Sequence, residues 1–356
     1  MKKLPIVLIA ISVIAIALYS QRLTILERVI SKGIETRMAS DKIAELGDGL
    51  HVGLCGAGGP LPAPKASGPC VVVIAGSKMF VVDAGTDGSR NLGRMGLLAG
   101  NIEAVFLTHF HSDHIDGLGE LAMGRWVGVA NKKPLSVYGP SGVENVVNGF
   151  NTAYSQDAIY RHAHHTDLVA PLSGTGMQAM PFVNPAPGVL TTLYDQDGIK
   201  IEALAVEHEP VDPAVGYRFS YKGRTALISG DTKKSANIEK FAKGIDLLVH
   251  EALAPNLVNI MNVAAKKNGN EVMAKITFDI LDYHASPVQA AETALDAGVD
   301  HLLYYHIVPP LVVPGMEQLW LNGAEDIFED FTVGEDGVMI SLPANSDEIV
   351  HTSMGL

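Results

Sequence analysis

The sequence predicts a domain of mixed α/β class (α+β). We expect a four-layer αβ/βα sandwich, in which two sheets lie between two layers of helices. From about residue 48, short apolar runs rich in β-branched residues alternate with glycine turns, as strands do. Helical stretches with start signals lie between several of these runs, for example the S-x-x-E capping box at Ser141. Strands and helices alternate in two halves, which together fit one sandwich.

A cluster of polar residues follows one of these strands. The apolar run 104–107 leads into Thr-His-Phe-His-Ser-Asp-His at 108–114. His109 and His111 are two apart in extended chain and therefore point to the same side, and the turn into the next helix brings Asp113 and His114 to the same space. Imidazole and carboxylate groups are ligands of zinc and iron. One tetrahedral ion with an open position cannot use all four groups, so the cluster predicts a pair of ions.

Later strands also end in His or Asp. The residues concerned are His208, Asp231, His250 and His306. Strand ends that meet along one edge of a sandwich form a single shared site, so these residues are expected to lie near the first cluster.

The H-x-H-x-D-H pattern after a strand resembles the metallo-β-lactamase superfamily of binuclear metallohydrolases, and the resemblance implies the metallo-β-lactamase sandwich. It also implies a set of ligands, in order along the chain: His109, His111 and His208 for one ion, Asp113, His114 and His306 for the second, and Asp231 as the bridge. The expected cofactors are two divalent metal ions, and zinc is the metal we expect. Such a pair lowers the pKa of a shared water from about 15.7 towards about 7, and the hydroxide can attack an electrophile. We expect Asp113 to serve in catalysis as well as in metal binding.

Flanking motifs resemble the branch that contains the tRNA 3′-processing endonuclease (ribonuclease Z) and arylsulfatase-like enzymes. The motifs are LCGAGGP at 54–60, YGP at 138–140, VGYR at 215–218, SGDT at 229–232, HEA at 250–252 and HASP at 284–287. The resemblance implies that His250 assists proton transfer. His284 matches a second His motif, although Ala285-Ser286 stands where Ser-Thr is usual, which leaves its role open. We expect His284 and Ser286 to contact substrate, because a helix beginning at Ser286 would direct N–H groups at an anionic ester.

The charge of the chain is used to choose between the activities known in this branch. The formal net charge is −13, and Lys and Arg occur in scattered pairs without a basic stripe. Such a surface argues against nucleic acid as a partner. The prediction is therefore a hydrolase of small anionic esters, either arylsulfatase-like or a phosphodiesterase. A homodimer is compatible with this prediction. The alternatives are a ribonuclease Z-like endoribonuclease acting on tRNA 3′ ends, a lactonase, and a non-catalytic binding protein, against which the complete ligand set argues.

The beginning of the chain predicts a membrane anchor. Residues 4–19 form an unbroken apolar run behind two lysines, and no small-residue cleavage site follows it. We expect an anchor at 1–20, an amphipathic connector at 21–47, the catalytic domain at 48–345 and a C-terminal tail at 346–356. The catalytic domain would then lie in the periplasm or otherwise outside the cytoplasm, or be exported as a soluble enzyme if the segment were cleaved.

Two further features allow alternative interpretations. Cys55 and Cys70 flank a glycine-rich loop between neighbouring strands, and they are either a disulfide in an oxidising compartment or two buried thiols. Residues 155–198 lack clear periodicity and contain His162, His164 and His165. These histidines either bind a metal or substrate, or belong to a polar loop over the cleft.

Overall fold

The chain divides into two units, residues 1–42 and 43–356, and each is described by itself. The computed structural model describes residues 3–356, with side chains from residue 19 onwards. The first unit contains helix α1 (Lys3–Ala39), whose described apolar residues are exposed. The predicted boundaries at 20, 47 and 345 remain predictions.

The helices that follow α1 are short, with one exception near the middle of the chain. They are α2 (Lys42–Leu46), α3 (Gly88–Arg94), α4 (Ser112–Ile115), α5 (Leu118–Gly128), α6 (Val143–Val169), α7 (Ala236–Phe241), α8 (Pro255–Lys267), α9 (Glu271–Asp279), α10 (Pro287–Ala297) and α11 (Met316–Leu321).

The strands are β1 (Gly49–Gly56), β2 (Cys70–Ala75), β3 (Lys78–Val82), β4 (Ile102–Phe106), β5 (Leu135–Gly139), β6 (Met177–Pro181), β7 (Thr191–Gln196), β8 (Ile199–Ala205), β9 (Val215–Tyr221), β10 (Arg224–Ile228), β11 (Leu247–Leu253), β12 (His301–Val308), β13 (Phe331–Val333), β14 (Val338–Pro343) and β15 (Val350–Ser353).

These strands form two sheets. The first has the order β15-β14-β1-β2-β3-β4-β5-β6 and the second β13-β12-β11-β10-β9-β8-β7. Pairing is antiparallel from β15 to β3 and parallel from β3 to β6. In the second sheet it is antiparallel from β7 to β10 and parallel from β10 to β13. The carboxyl ends of β4, β10 and β12 supply most of the site described below.

The main core lies between the two sheets, and its centre is aromatic. Phe80 and Phe106 of the first sheet contact Phe219 of the second, with ring centroids 6.3 Å and 6.0 Å apart. Each fully buried ring of this size contributes about 1.5–3 kcal/mol through burial. Helices pack on the outer face of each sheet, so that β1, β2, β11 and β12 are buried along their whole length. The predicted mixed α/β fold with two sheets is thereby confirmed.

A side-chain hydrogen bond joins the second sheet to the loop beside the first ligand cluster. The hydroxyl of Tyr217, in β9, donates to the carbonyl of Leu107, at the end of β4, over 2.5 Å. Both residues are buried, so this bond fixes the second sheet against the loop that carries the predicted ligands.

The interval 155–198 is more regular than the sequence indicates. Helix α6 runs to Val169, with a kink at Thr166, where φ is +59°. The interval also contains β6 and β7. The predicted C-terminal tail contributes β15, which pairs with β14. Cys55 and Cys70 form a disulfide, the first of the two alternatives.

Candidate metal centre and active site

The first ligand cluster begins just beyond β4. His109 follows Thr108 and is buried, whereas His111 stands at the surface. His114 lies within the short helix α4 and is fully buried, with Asp113 half-buried beside it. The strand-to-helix turn thus presents all four side chains to one place.

Three further predicted ligands come from the second sheet. His208 follows β8, Asp231 follows β10 and His306 lies in β12. A carboxylate oxygen of Asp231 lies 3.3 Å from Nε2 of His306 and 3.4 Å from Nε2 of His114. The same oxygen is 3.9 Å from Nε2 of both His109 and His208. Asp231 is therefore the central group of the cluster.

Ligand-type atoms within 4.8 Å of one another fall into overlapping sets among the residues whose side chains are described. The sets are His109, His111, His208 and Asp231; Asp113, His114 and His306; and Asp231, His284 and His306. Two sets contain Asp231, and the first two together contain all seven predicted ligands. A bridging acid between two ions requires this kind of sharing.

Several of the potential metal-ligand atoms in these sets are buried and have no hydrogen-bond partner in the described part of the chain. They are Nε2 of His114, His208 and His306 and Oδ1 of Asp231. A buried polar atom without a partner costs about 1–3 kcal/mol, so four of them at one place indicate a ligand that accepts lone pairs. Imidazole nitrogens and carboxylate oxygens are suitable donors for a divalent metal ion. The residues therefore fit metal ions.

Asp83, which sequence reasoning missed, holds the first cluster in place. It follows β3 with φ of +58°, an uncommon backbone conformation for a residue other than glycine. Its Oδ1 accepts from the backbone N–H of Thr108, and its Oδ2 accepts from the Thr108 hydroxyl and from Nδ1 of His114, each over 2.8 Å. An acid directly after a buried strand, in the run Asp-Ala-Gly-Thr, was the signal available in the sequence.

These hydrogen bonds also fix which ring nitrogen carries the proton. Nδ1–H of His114 donates to Asp83, which leaves Nε2 with its lone pair towards Asp231. Nδ1–H of His208 donates to the carbonyl of Tyr283 over 2.8 Å, with the same consequence for its Nε2. Partners of this kind set both the tautomer and the orientation of a metal-binding histidine.

Burial and the neighbouring charges shift the pKa values of the ligands in opposite directions. Burial disfavours a charged His114, yet Asp231 and Asp83 raise the pKa of that ring well above its ordinary value. Burial lowers the pKa of His208, and lowers that of His109 well below its ordinary value, so both rings are neutral. Burial alone would raise the pKa of Asp231, but the rings of His306 and His114 bring it well below its ordinary value. Burial also disfavours a charged His306, yet Asp231 and Asp113 raise the pKa of that ring to about 9. Metal binding at His306 therefore displaces a proton.

Comparison with known proteins agrees with this geometry. Residues 64–297 match the model of the metallo-beta-lactamase superfamily. The chain is 34% identical over 273 residues to the protein named ribonuclease Z of Mycobacterium marinum, covering 76% of this chain and 90% of that protein. Ribonuclease Z of Mycobacterium sp. (strain KMS) is also 34% identical, over 81% of this chain and 94% of that protein.

This chain belongs to the metallo-β-lactamase superfamily. Within it, the chain belongs to the branch with ribonuclease Z that the flanking motifs indicated.

Solved structures show the same superfamily fold. The short form of human tRNase Z is similar with a TM-score of 0.56 and 22% identity, over 82% of this chain and 99% of that protein. The metallo-beta-lactamase fold protein YhfI of Bacillus subtilis is similar with a TM-score of 0.57 and 20% identity, over 82% of this chain and 99% of that protein. The protein is thus a superfamily member with groups able to hold divalent metal ions, and a metal-dependent hydrolase.

Three predictions are corrected here. The predicted main function, arylsulfatase-like hydrolysis of small anionic esters, is wrong, because relatives 34% identical over about three quarters or more of this chain are named ribonuclease Z, which favours the alternative of a ribonuclease Z-like enzyme. The same finding contradicts the prediction that nucleic acid is not a partner. The predicted membrane-anchored, extracytoplasmic location is contradicted by the same finding, that relatives over most of the chain are named ribonuclease Z. No helix in the part of the chain with described side chains is long and apolar enough to cross a membrane, and most of the predicted anchor lies outside that part.

The metallo-β-lactamase site contains a carboxylate–histidine pair, Glu251 and His284, that the sequence analysis did not predict. Oε1 of Glu251 accepts from Nδ1–H of His284 over 3.0 Å, and from the backbone N–H of Thr232 (3.1 Å) and Ala285 (3.2 Å). Its rigid position orients His284, which belongs to the donor set with Asp231 and His306.

His250, predicted to transfer the proton, occupies a different position. Neighbouring residues of a strand point to opposite faces, and in β11 Leu248 belongs to the helix-covered outer core while Val249 belongs to the core between the sheets. His250 is two residues after Leu248 and therefore lies on the same helix-covered face of the sheet. Its Nδ1–H donates to the carbonyl of Glu251 over 2.7 Å. Burial lowers its pKa. The structure therefore brings Glu251, and not His250, to the described site.

The remaining predicted polar residues have local partners. The Ser286 hydroxyl accepts from the backbone N–H of Gln289 over 3.1 Å and caps α10. His162 lies on α6, where its Nδ1–H donates to the carbonyl of Ala170 over 3.0 Å. His164 and His165 are exposed on the same helix. The sets of ligand-type atoms found among the described side chains include none of these α6 histidines.

Proposed function

We propose that the protein is a metal-dependent phosphodiesterase that cleaves RNA at tRNA 3′ ends, the alternative given by its resemblance to the ribonuclease Z branch and supported by relatives that are named ribonuclease Z. The observation that carries the proposal is the placement of His284, backed by Glu251, beside Asp231 and His306. An RNA phosphodiester releases a ribose oxygen, which leaves poorly unless it is protonated as the bond breaks. A nitrophenyl or aryl sulfate ester has no such need, so a supported proton donor suits RNA.

We assign one ion to His109, His111 and His208 and the second to Asp113, His114 and His306, with Asp231 shared. Zinc suits this set of imidazoles and carboxylates. When bound, the two ions supply an activated water and neutralise charge on the phosphoryl oxygens.

The protein's own groups then have separate tasks. The proton to be transferred would sit on Nε2 of His284, the nitrogen remote from Glu251, and Glu251 orients the ring by accepting from Nδ1–H. Transfer of this proton to the leaving ribose oxygen is typically worth about 10²- to 10⁴-fold in rate. The backbone N–H groups of Thr232 and Ala285 keep the carboxylate fixed during the transfer. The predicted homodimer stays a prediction.

The test compares substrates that differ in leaving group. The full-length protein, loaded with zinc, is given a precursor tRNA with a 3′ trailer, p-nitrophenyl sulfate and bis-p-nitrophenyl phosphate. We expect cleavage of the RNA and of the diester, and none of the sulfate. Turnover of the sulfate without cleavage of RNA would refute the proposal.

Variants of the pair test the proton donor. His284→Ala should slow RNA cleavage by about 10²- to 10⁴-fold and affect bis-p-nitrophenyl phosphate little, because nitrophenolate is already a stable leaving group. Glu251→Gln should act in the same direction. His250→Gln is the matched control, since any effect through packing should be equal on both substrates. An equal loss on both substrates for His284→Ala would rule out the donor role.

A further inference from the structure

An aromatic ring stands directly beside the proton donor and one metal ligand. The ring centroid of Tyr283 lies 5.0 Å from that of His208 and 4.7 Å from that of His284. The Tyr283 carbonyl also accepts from Nδ1–H of His208, so the backbone under the ring is fixed to the metal centre. The side chain is only half-buried. The site therefore has a rigid, partly exposed aromatic surface at its edge.

The ring is also close to the reacting groups, because it lies beside the proton donor His284. It can therefore lie against the nucleotide that receives the proton.

The surroundings of the site offer little attraction for a phosphate backbone. A cavity of about 730 Å³ opens beside Asp113, and the cations among its lining residues are Lys65 and Arg94. Its acidic lining residues are Asp87, Asp113, Asp116, Glu335 and Asp336. Lys233, two residues beyond Asp231, already pairs with Glu209 at 3.3 Å. With a formal net charge of −13 on the chain, neutralising many phosphates is not how this site can hold RNA.

Base stacking is independent of that charge. Every nucleobase has a π face, and single-stranded nucleic acids are commonly held by aromatic side chains on which bases stack. We propose that Tyr283 is the platform for the base of the nucleotide whose ribose oxygen leaves, and that the substrate is a short single-stranded RNA end held through this base and few phosphates. This inference rests on the proposed function.

The test uses a short single-stranded RNA that the zinc-loaded wild type cleaves. A second RNA carries an abasic ribose at the nucleotide whose oxygen leaves, and a third carries it on the other side of the bond. The proteins are wild type, Tyr283→Phe, Tyr283→Leu and, as matched control, Phe278→Leu, since Phe278 is an exposed aromatic residue of α9.

For wild type, we expect kcat/KM to fall by about 5- to 150-fold on the second RNA and little on the third. Tyr283→Leu should lose a similar factor on the intact RNA and nothing more on the second RNA, because ring and base act together. Tyr283→Phe keeps the ring and should stay near wild type, as should Phe278→Leu. All proteins should keep the same zinc content.

Salt provides an independent readout. If the RNA contacts at most two phosphates, log kcat/KM should fall with log salt with a slope no steeper than about −1.4.

Several results would overturn the inference. The first is that Tyr283→Leu lowers kcat/KM on the abasic RNA by the same factor as on the intact RNA. The second is that Tyr283→Phe lowers kcat/KM as much as Tyr283→Leu does. The third is a slope of log kcat/KM against log salt steeper than about −3. Failure of the wild type to cleave any RNA would instead refute the proposed function, and the inference with it.

Discussion

Replacing Asp83 by Asn tests how strongly the first ligand cluster depends on a residue that touches no metal ion. The carboxylate accepts three hydrogen bonds of 2.8 Å, two from Thr108 and one from Nδ1 of His114. An amide has the same shape but only one accepting oxygen. If that oxygen faces the Thr108 N–H, the amide N–H₂ faces Nδ1 of His114, which must then become an acceptor. Its proton moves to Nε2, and that nitrogen can no longer bind an ion.

The opposite orientation of the amide places N–H₂ against the backbone N–H of Thr108, which leaves a buried donor without a partner at about 1–3 kcal/mol. This cost favours the first orientation, in which the ion held by His114 should be bound more weakly by about 10- to 100-fold, as is typical when the partner of a metal-binding histidine is changed. This factor corresponds to about 1.4–2.7 kcal/mol of binding free energy.

The measurement is zinc affinity of each site by competition with a coloured chelator, with bound zinc counted by elemental analysis. Asp336→Asn is the matched control, because Asp336 is a half-buried carboxylate that likewise accepts several hydrogen bonds, from donors on Ala57, Ser67 and Asn91. It should lower thermal stability and leave zinc affinity unchanged. If Asp83→Asn binds two zinc ions with wild-type affinity, the tautomer argument is refuted.

Three further outcomes are expected. Wild type should bind about two zinc ions per chain, and Asp231→Ala should lower the occupancy of both sites; elemental analysis showing full occupancy in this variant would contradict the shared role of Asp231. Burial lowers the pKa of His301 to about 4, so the unfolded chain takes up a proton at this residue before the folded chain does. As pH falls from about 6.5 to about 4, His301 should therefore lower the free energy of unfolding by up to about 3 kcal/mol. His301→Gln should show a smaller loss over that pH range when unfolding is measured in urea. Removing the Cys55–Cys70 disulfide, which spans a sequence separation of 15, should lower the free energy of unfolding by about 3 kcal/mol, and equal urea midpoints for wild type and a Cys55→Ser, Cys70→Ser double variant would contradict this.

The ligand cluster could be predicted because its signal is local. His109, His111 and His114 lie within one turn after a buried strand, and spacing alone places them together. The other ligands also follow or end strands, and strand ends share an edge. The two-sheet fold follows from the same alternation of apolar runs and turns.

The proton donor could not be assigned in this way. His250 and Glu251 are neighbours in a strand buried on both faces, and the apolar residues Leu248 and Val249 before them do not reveal which face is inward. Only the packing of the helices on the outer face decides it. Asp83 was missed for a related reason, because its partners at Thr108 and His114 lie far along the chain and no spacing rule connects them.

The position of β1 has a consequence for synthesis of the chain. This strand lies inside its sheet between β2 and β14, and β14 begins at Val338, about 290 residues after β1 begins at Gly49. At a translation rate of about 5–20 residues per second, one edge of β1 waits roughly 15–60 s for its partner. An apolar strand with an open edge is a template for pairing with other chains. Nascent chains halted before β14 should therefore associate through this edge, and a chaperone that covers extended apolar strands would be needed at that stage.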